Sequence, residues 1–235
     1  MRRLQHKWAL DRTIEENRVE IAQLGRLVMI LGRFYRHAAR PYVSAAAQIW
    51  EWRRNVSGDC RVLLDRRFDL PSGVIRTIEH VQLSFLDRCG GALLGRIRDR
   101  RIVDGHGDLR PEHIWVCDGV KIIDCLEFNP RLRMVDPFDE IAYLSLECER
   151  LGAPWIGEYV RRGVSRALHD DPGRELFLFY RCHRAMLRAR LAIAHLLEPN
   201  PRTPEKWPRR ARAYLSIAAR DAARLDYLLR TPGGP

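Results

Sequence analysis

His106, Asp108, His113 and Asp124 are the residues of this chain whose types and spacing could do chemistry together. Three lie in the run His106-Gly107-Asp108-Leu109-Arg110-Pro111-Glu112-His113, and Asp124 closes Ile122-Ile123-Asp124, sixteen residues after Asp108. Between the two acids, the apolar runs Ile114 to Cys117 and Val120 to Ile123 flank Asp118-Gly119. An Asp-Gly pair between apolar runs is a strong signal for a two-residue hairpin turn. Strands of about four residues each would return the chain to its starting point. His113 and Asp124 are therefore expected as cross-strand neighbours, with the Asp108 loop packed beside them. Phosphoryl transfer needs such a gathering: one carboxylate orients an attacking hydroxyl and another holds the magnesium that bridges the phosphates.

The same residues admit other chemistry. His106, Asp108, His113 and Asp124 together are a mixed ligand set that a zinc or manganese hydrolase would accept. Asp108 could be only a turn former, and Asp124 only a cap at a strand end. Their pairing across one hairpin favours a joint role. His106 is expected to brace its loop by hydrogen bonds. Glu127 and Asn129 follow Asp124 closely enough to line the site or to stabilise its loop. Arg181, Arg184 and Arg188 recur at helical spacing and share one face, whose default is solvent.

His-Gly-Asp-Leu, a metal-facing residue five positions after the Asp, and an apolar hairpin ending in Ile-Asp resemble the aminoglycoside phosphotransferase branch of the protein-kinase-like family. His106 to His113 with Ile123-Asp-Cys-Leu-Glu-Phe-Asn129 is similar to a bacterial group of it, some of whose members are fused to an ATPase domain. The resemblance implies a mainly α fold with a small β-hairpin, corresponding to the large C-terminal lobe of that family and covering residues 1–230. It implies an ATP-dependent transfer of phosphate to a small-molecule hydroxyl, with Asp108 as base and Asp124 as ligand for Mg2+, or Mn2+. It also implies that one of Asp136, Asp139 and Glu140 ties down the catalytic loop, and that the helix carrying Arg184 and Arg188 flanks the acceptor cleft. The family's usual residue at position 113 is Asn. Imidazole suits softer ions than magnesium, which prefers oxygen, so His113 is a candidate for a metal or for a phosphate oxygen.

The family grips ATP with a small lobe carrying a glycine-rich turn and a phosphate-pairing Lys. Here the only lysines are Lys7, Lys121 and Lys206, and no Gly-x-Gly-x-x-Gly occurs. Met1 to Leu4 resembles the hinge after that lobe, so the small lobe is expected to be missing, or to come from a separate chain or an upstream segment. Three function classes follow: a phosphotransferase large lobe, a degenerate kinase-like binding or regulatory module, and the metal-dependent hydrolase.

The elements that must position these residues are mostly helices. Ile14, Ile21, Leu24, Val28, Leu31 and Tyr35 keep a 3.6-residue period over about 11–38. Further helices are expected over 42–55, 74–98, 154–168, 174–197 and 204–229, with turns at Ser57-Gly58-Asp59 and 69–73 and a frayed tail from Thr231. A strand over 101–103 feeds the catalytic loop, and Asp136-Pro137-Phe138-Asp139 reads as a capped helix start that runs to Gly152.

With 235 residues and 46% hydrophobic content, the chain can bury a real core. No apolar run or leader pattern suggests a membrane, and six scattered cysteines suit reduced thiols in a cytoplasmic protein. The net charge of +11 is written in arginines scattered along the sequence. Without a basic run or a recognisable module, the expected anionic partner is a nucleotide rather than a nucleic acid.

Overall fold

The apolar periodicity of the sequence resolves into eight helices and four two-residue strands among residues 4–117 and 119–231, which the computed structural model describes. The helices are α1 (Leu10–Glu15), α2 (Ile21–His37), α3 (Ala45–Leu63), α4 (Ser72–Arg98), α5 (Pro137–Arg150), α6 (Pro154–Leu168), α7 (Arg174–Ala194) and α8 (Lys206–Arg230). The strands are β1 (Val103–Asp104), β2 (Ile114–Trp115), β3 (Lys121–Ile122) and β4 (Met134–Val135). The protein is thus mainly helical with a small hairpin. None of the described helices is long and apolar enough to cross a membrane.

The chain divides into two compact units, each discontinuous in sequence. Unit 1 is Met1–Tyr42 with Asp99–Pro172, and unit 2 is Val43–Arg98 with Gly173–Pro235.

Unit 1 packs α2 and α5 against α6. α5 starts as its sequence demands: the Asp136 carboxylate accepts the Phe138 N–H at 2.8 Å, and Pro137 fills the first position, where no donor is needed. Every residue from Pro137 to Cys148 is buried. Two glycines set how closely α6 approaches its neighbours. A Cβ on Gly157 would lie 2.6 Å from Ser145 Cα, and one on Gly163 would lie 2.6 Å from a Val28 methyl carbon. The expected single helix over 11–38 is two helices. Asn17 is left-handed at φ 52°, and Glu20 with Gln23 forms a capping box that restarts the chain as α2. The apolar period runs on across a break that the caps create.

Unit 2 packs α7 along α8, with α3 and α4 completing the bundle. Phe85 of α4 stacks on Phe179 of α7 at 4.5 Å, and Trp52 of α3 meets Phe179 edge-on at 5.3 Å. Ser57-Gly58-Asp59 is no turn: α3 runs through it to Leu63. Val56 and Cys60 are buried on either side, and the Asp59 carboxylate pairs with Arg190 of α7. Packing on both flanks outweighs the roughly 1 kcal/mol that a helical glycine costs. α6 spans the residues expected of it, while α7 ends at Ala194 in a single 3-10 turn over His195–Leu197. No two of the six cysteines are joined, and Cys60, Cys148 and Cys182 are buried. Of the expected tail, 232–235 lies outside the described residues, as does the Met1–Arg3 part of the hinge-like opening.

Candidate active site

β1 and β4 pair antiparallel, Val103 with Val135 and Asp104 with Met134, and the next donor, Gly105 N–H, reaches the Arg133 carbonyl at 2.8 Å. This short ribbon aims the loop of 105–110. The turn inside it is left to glycine. Gly107 sits at φ 84°, and a Cβ there would come within 3.0 Å of Leu126 and of the Leu132 carbonyl. Beneath it, the Glu140 carboxylate accepts the Gly107 N–H and, at 2.9 Å, the hydroxyl of Tyr35. Of the three acids at the start of α5, Glu140 thus ties down the loop. Burial pushes its carboxyl above the usual carboxylate range, against the pull of its hydrogen bonds, and burial beside that carboxylate pushes the Tyr35 phenol up as well.

The hairpin is shorter than four-residue strands would make it. Ile114 pairs with Ile122 and Trp115 with Lys121, and pairing stops there, leaving 116–120 between the strands. Val116 turns away because its N–H donates to the Trp8 carbonyl at 2.9 Å, beside a bridge between Ala9 and Trp115. Asp118, half of the expected turn, lies outside the described residues. In this register His113 faces Ile123, whose N–H donates to the His113 carbonyl at 3.0 Å. Asp124 comes one residue later in the left-handed conformation, at φ 64°. Asp tolerates that region better than most residues, and such conformations cluster at functional sites.

His106 spends both ring nitrogens on backbone. Nε2 lies 2.8 Å from the Ile123 carbonyl, which can only accept, so Nε2 carries the proton. Nδ1 then accepts the Asp108 N–H at 3.3 Å. The His106 carbonyl also takes the Leu126 N–H at 3.1 Å, so one residue holds the chain on both sides of Asp124. Arg133 secures the far end, donating to the Leu126 carbonyl and to Asp104, each at 2.8 Å.

His113 stands between the acids. Its Nδ1 donates to the Asp108 carbonyl at 2.9 Å and lies 3.6 Å from the Asp108 carboxylate, while Nε2 lies 3.2 Å from Asp124 Oδ2. Arg110, which spacing alone did not single out, grips Asp108 Oδ2 through Nε at 3.0 Å and Nη2 at 2.8 Å. The same Nη2 approaches His113 Nε2 at 3.1 Å. One nitrogen cannot serve both neighbours. A neutral ring accepts from Arg110, and a protonated ring donates to Asp124. The signal for Arg110 was its place two residues after Asp108, where its guanidinium must fold back over that carboxylate.

His106, Asp108, His113 and Asp124 are thus brought together in unit 1. Among the described residues, however, no three His, Cys, Asp or Glu side chains are grouped to hold a metal ion. The four-ligand arrangement is not formed, because His106 is committed to backbone and Asp108 to Arg110. Glu127 is exposed, and the Asn129 side chain accepts the Arg131 N–H at 3.0 Å to cap the next turn. Arg184 and Arg188 belong to α7 of unit 2. There Arg188 stacks on Tyr214 at 5.5 Å, and neighbouring Arg181 forms a buried pair with Asp221 at 2.9 Å.

Comparison with known proteins finds relatives but no function. Uncharacterized proteins of Mycobacterium bovis and of two strains of Mycobacterium tuberculosis are each 31% identical to this chain over 210 residues. The match covers 86% of this chain and 41% of each relative, so the chain spans about two fifths of their length. No family model matches, and no solved structure matches.

Proposed function

We propose that unit 1 carries the catalytic end of an ATP-dependent phosphotransferase of the protein-kinase-like type, acting on a small-molecule hydroxyl with Mg2+ or Mn2+. One observation carries this reading: two carboxylates, Asp108 and Asp124, flank a single imidazole, and they differ sharply in surroundings. The Asp108 side chain is 21% exposed and clamped, whereas that of Asp124 is 73% exposed.

The difference suits two roles. Arg110 and His113 engage Asp108 through Oδ2 and its carbonyl, which leaves Oδ1 to accept the hydrogen of an incoming hydroxyl and orient its oxygen for in-line attack. Arg110 adds a fixed positive charge beside the point where phosphoryl charge would develop. Asp124 offers an open, hard oxygen donor. Magnesium keeps several waters and binds through one or two carboxylates together with substrate phosphates, so a single exposed carboxylate fits it, as a closed cage would not. When bound, the ion neutralises charge between the phosphates.

The test separates the two acids. Mn2+ should broaden the NMR signals of His113 and Asp108 in the wild-type chain, and Asp124→Ala should abolish the broadening. Asp108→Asn should keep it while removing phosphate transfer. Lys7, Lys121 and Lys206 lie in unit 1's first turn, in β3 and in α8 of unit 2. Without a glycine-rich turn to cradle the phosphates, the 235 residues alone should bind MgATP weakly and turn over slowly, since each charge-assisted contact contributes roughly 1.5–3 kcal/mol. Signals unmoved by Mn2+ would overturn the reading. Tight MgATP binding that Asp124→Ala abolishes would show that these residues suffice as an enzyme.

A further inference from the structure

The net charge of the chain is not spread over it. Of the 41 Lys and Arg residues 22 fall in unit 2, against 11 of the 30 Asp and Glu, so unit 2 carries the whole formal +11 and unit 1 is neutral. Along the sequence the arginines look evenly scattered. They are in fact shared almost evenly, with 19 Lys and Arg in unit 1, and the difference lies in the acids: unit 1 holds 19 Asp and Glu and unit 2 only 11. All but Lys206 of its 22 basic residues are arginine, whose planar fork pairs with phosphate oxygens in bidentate fashion.

α8 concentrates this charge on one face. Its inner side is Ala211, Tyr214, Leu215, Ala218, Asp221, Ala222, Leu225 and Leu229, all buried. At 100° per residue the opposite side carries Lys206, Arg209 and Arg224, each exposed, with Arg220 between the last two and Tyr227 at the far end. Within α8 no acid falls on that side, and exposed Glu205 stands just before it at the N-cap. The row from Lys206 to Arg224 is about 27 Å long at 1.5 Å per residue. At its start Trp207 stacks on His195 at 4.0 Å, with the Lys206 ammonium 5.3 Å from the indole.

We propose that unit 2 binds the sugar–phosphate backbone of nucleic acid along the outer face of α8, without reading sequence. A duplex presents one charge per ~1.7 Å, so cations at the two ends of this face, Lys206 with Arg209 and Arg224 beside the Asp221-paired Arg220, can each meet a phosphate of one backbone. An anionic membrane is a poorer match. A helix lying on lipid needs its apolar face free, and here that face is buried within unit 2 while the outer side offers only Tyr227 as a large apolar group. Exposed Tyr227 at the far end offers one ring on which an unpaired base could stack.

Fluorescence anisotropy of the full chain with a labelled 25-base-pair duplex and with a labelled single-stranded RNA, at several salt concentrations, tests this. Binding should weaken steeply with salt, since each phosphate contact contributes a slope of about −0.9. The triple variant Lys206→Gln, Arg209→Gln, Arg224→Gln should lose at least tenfold in affinity and lower the slope by about two to three. A matched triple, Arg26→Gln, Arg33→Gln, Arg36→Gln, on exposed positions of α2, should change binding less than threefold. Equal losses in the two triples would show attraction to net charge alone and overturn the assignment, and so would an absence of binding at 50 mM salt. Competition by polyglutamate or by anionic vesicles as effective as that by nucleic acid would equally overturn it. The phosphotransferase reading of unit 1 is untouched by any of these outcomes.

Discussion

His113 Nε2 lies 3.2 Å from Asp124 Oδ2, although the hairpin register sets His113 opposite Ile123. Asp124, two residues past β3, makes this contact from a left-handed conformation. His113 thereby competes for the oxygen that a divalent ion would take. Replacing it by a neutral oxygen donor should tip that competition. His113→Asn is expected to raise Mg2+ affinity severalfold and to narrow any preference for Mn2+ over Mg2+, as isothermal titration with each ion would show. Weaker Mg2+ binding in the variant would mean that the imidazole supports the site rather than blocking it.

Tyr35 and Glu140 hold the loop of 105–110 from below. Tyr35→Phe keeps the ring and leaves a buried carboxylate one donor short, a loss of roughly 1–3 kcal/mol. Urea denaturation should show it. Hydrogen exchange at the Gly107 amide should quicken by more than the global loss explains, because that amide shares the Glu140 carboxylate. Unchanged Gly107 exchange would place the loop's restraint elsewhere.

Gln82 of α4 is fully buried, and neither its amide nitrogen nor its oxygen has a hydrogen-bond partner among the described residues. Such a group lowers stability by roughly 1–3 kcal/mol. Gln82→Leu, close in volume and able to pack with its apolar neighbours, should therefore raise the unfolding midpoint. A lowered midpoint would mean that the amide is satisfied in solution.

Acid should loosen unit 2. Burial pushes the His183 imidazole from 6.5 down to about 3, with Arg184 and Arg190 adding to the shift. Between those values the unfolded chain holds a proton that the folded chain does not, so stability falls as pH drops through that window. Asp59 opposes this over a narrower range. Burial raises its carboxyl from 3.8 to about 6 despite the Arg190 guanidinium, which adds stability as pH falls from 6 toward 4. The His183 shift is the larger, so these two groups together should make unit 2 less stable at pH 4.5 than at pH 7. His183→Phe should flatten that slope in urea titrations, and an unaltered slope would assign the acid sensitivity to other groups.

Helix type and extent were legible wherever caps and apolar period agreed. Asp136-Pro137 announced α5, and α6 ends where its period ends. That the chain would bring Asp124 back to His113 was legible as well, because a hairpin must return on itself. Three features were not fully legible. The helical Gly58 is decided by packing on Val56 and Cys60, which lie in contacts distant along the chain. The early end of the hairpin is decided by Trp8, which takes the hydrogen bond of Val116. The partition of charge is hidden only in part: residues 173–235 alone carry +8, and which segment adds the remaining +3 is decided by the fold, which joins 43–98 to them.

The order of synthesis meets an awkward geometry in unit 1. α2 finishes early, yet its partners lie far downstream: Val28 waits for Gly163, and Tyr35 waits for Glu140, 105 residues on. On the ribosome the apolar face of α2 must stay unpaired while all of α3 and α4 emerge. Unit 1 can close only after most of the chain has been made, and a ribosome stalled before α6 would display a sticky, unfinished half. Heat-shock holdases should therefore crosslink to nascent chains that end between α4 and α6, and release those that extend past Pro172.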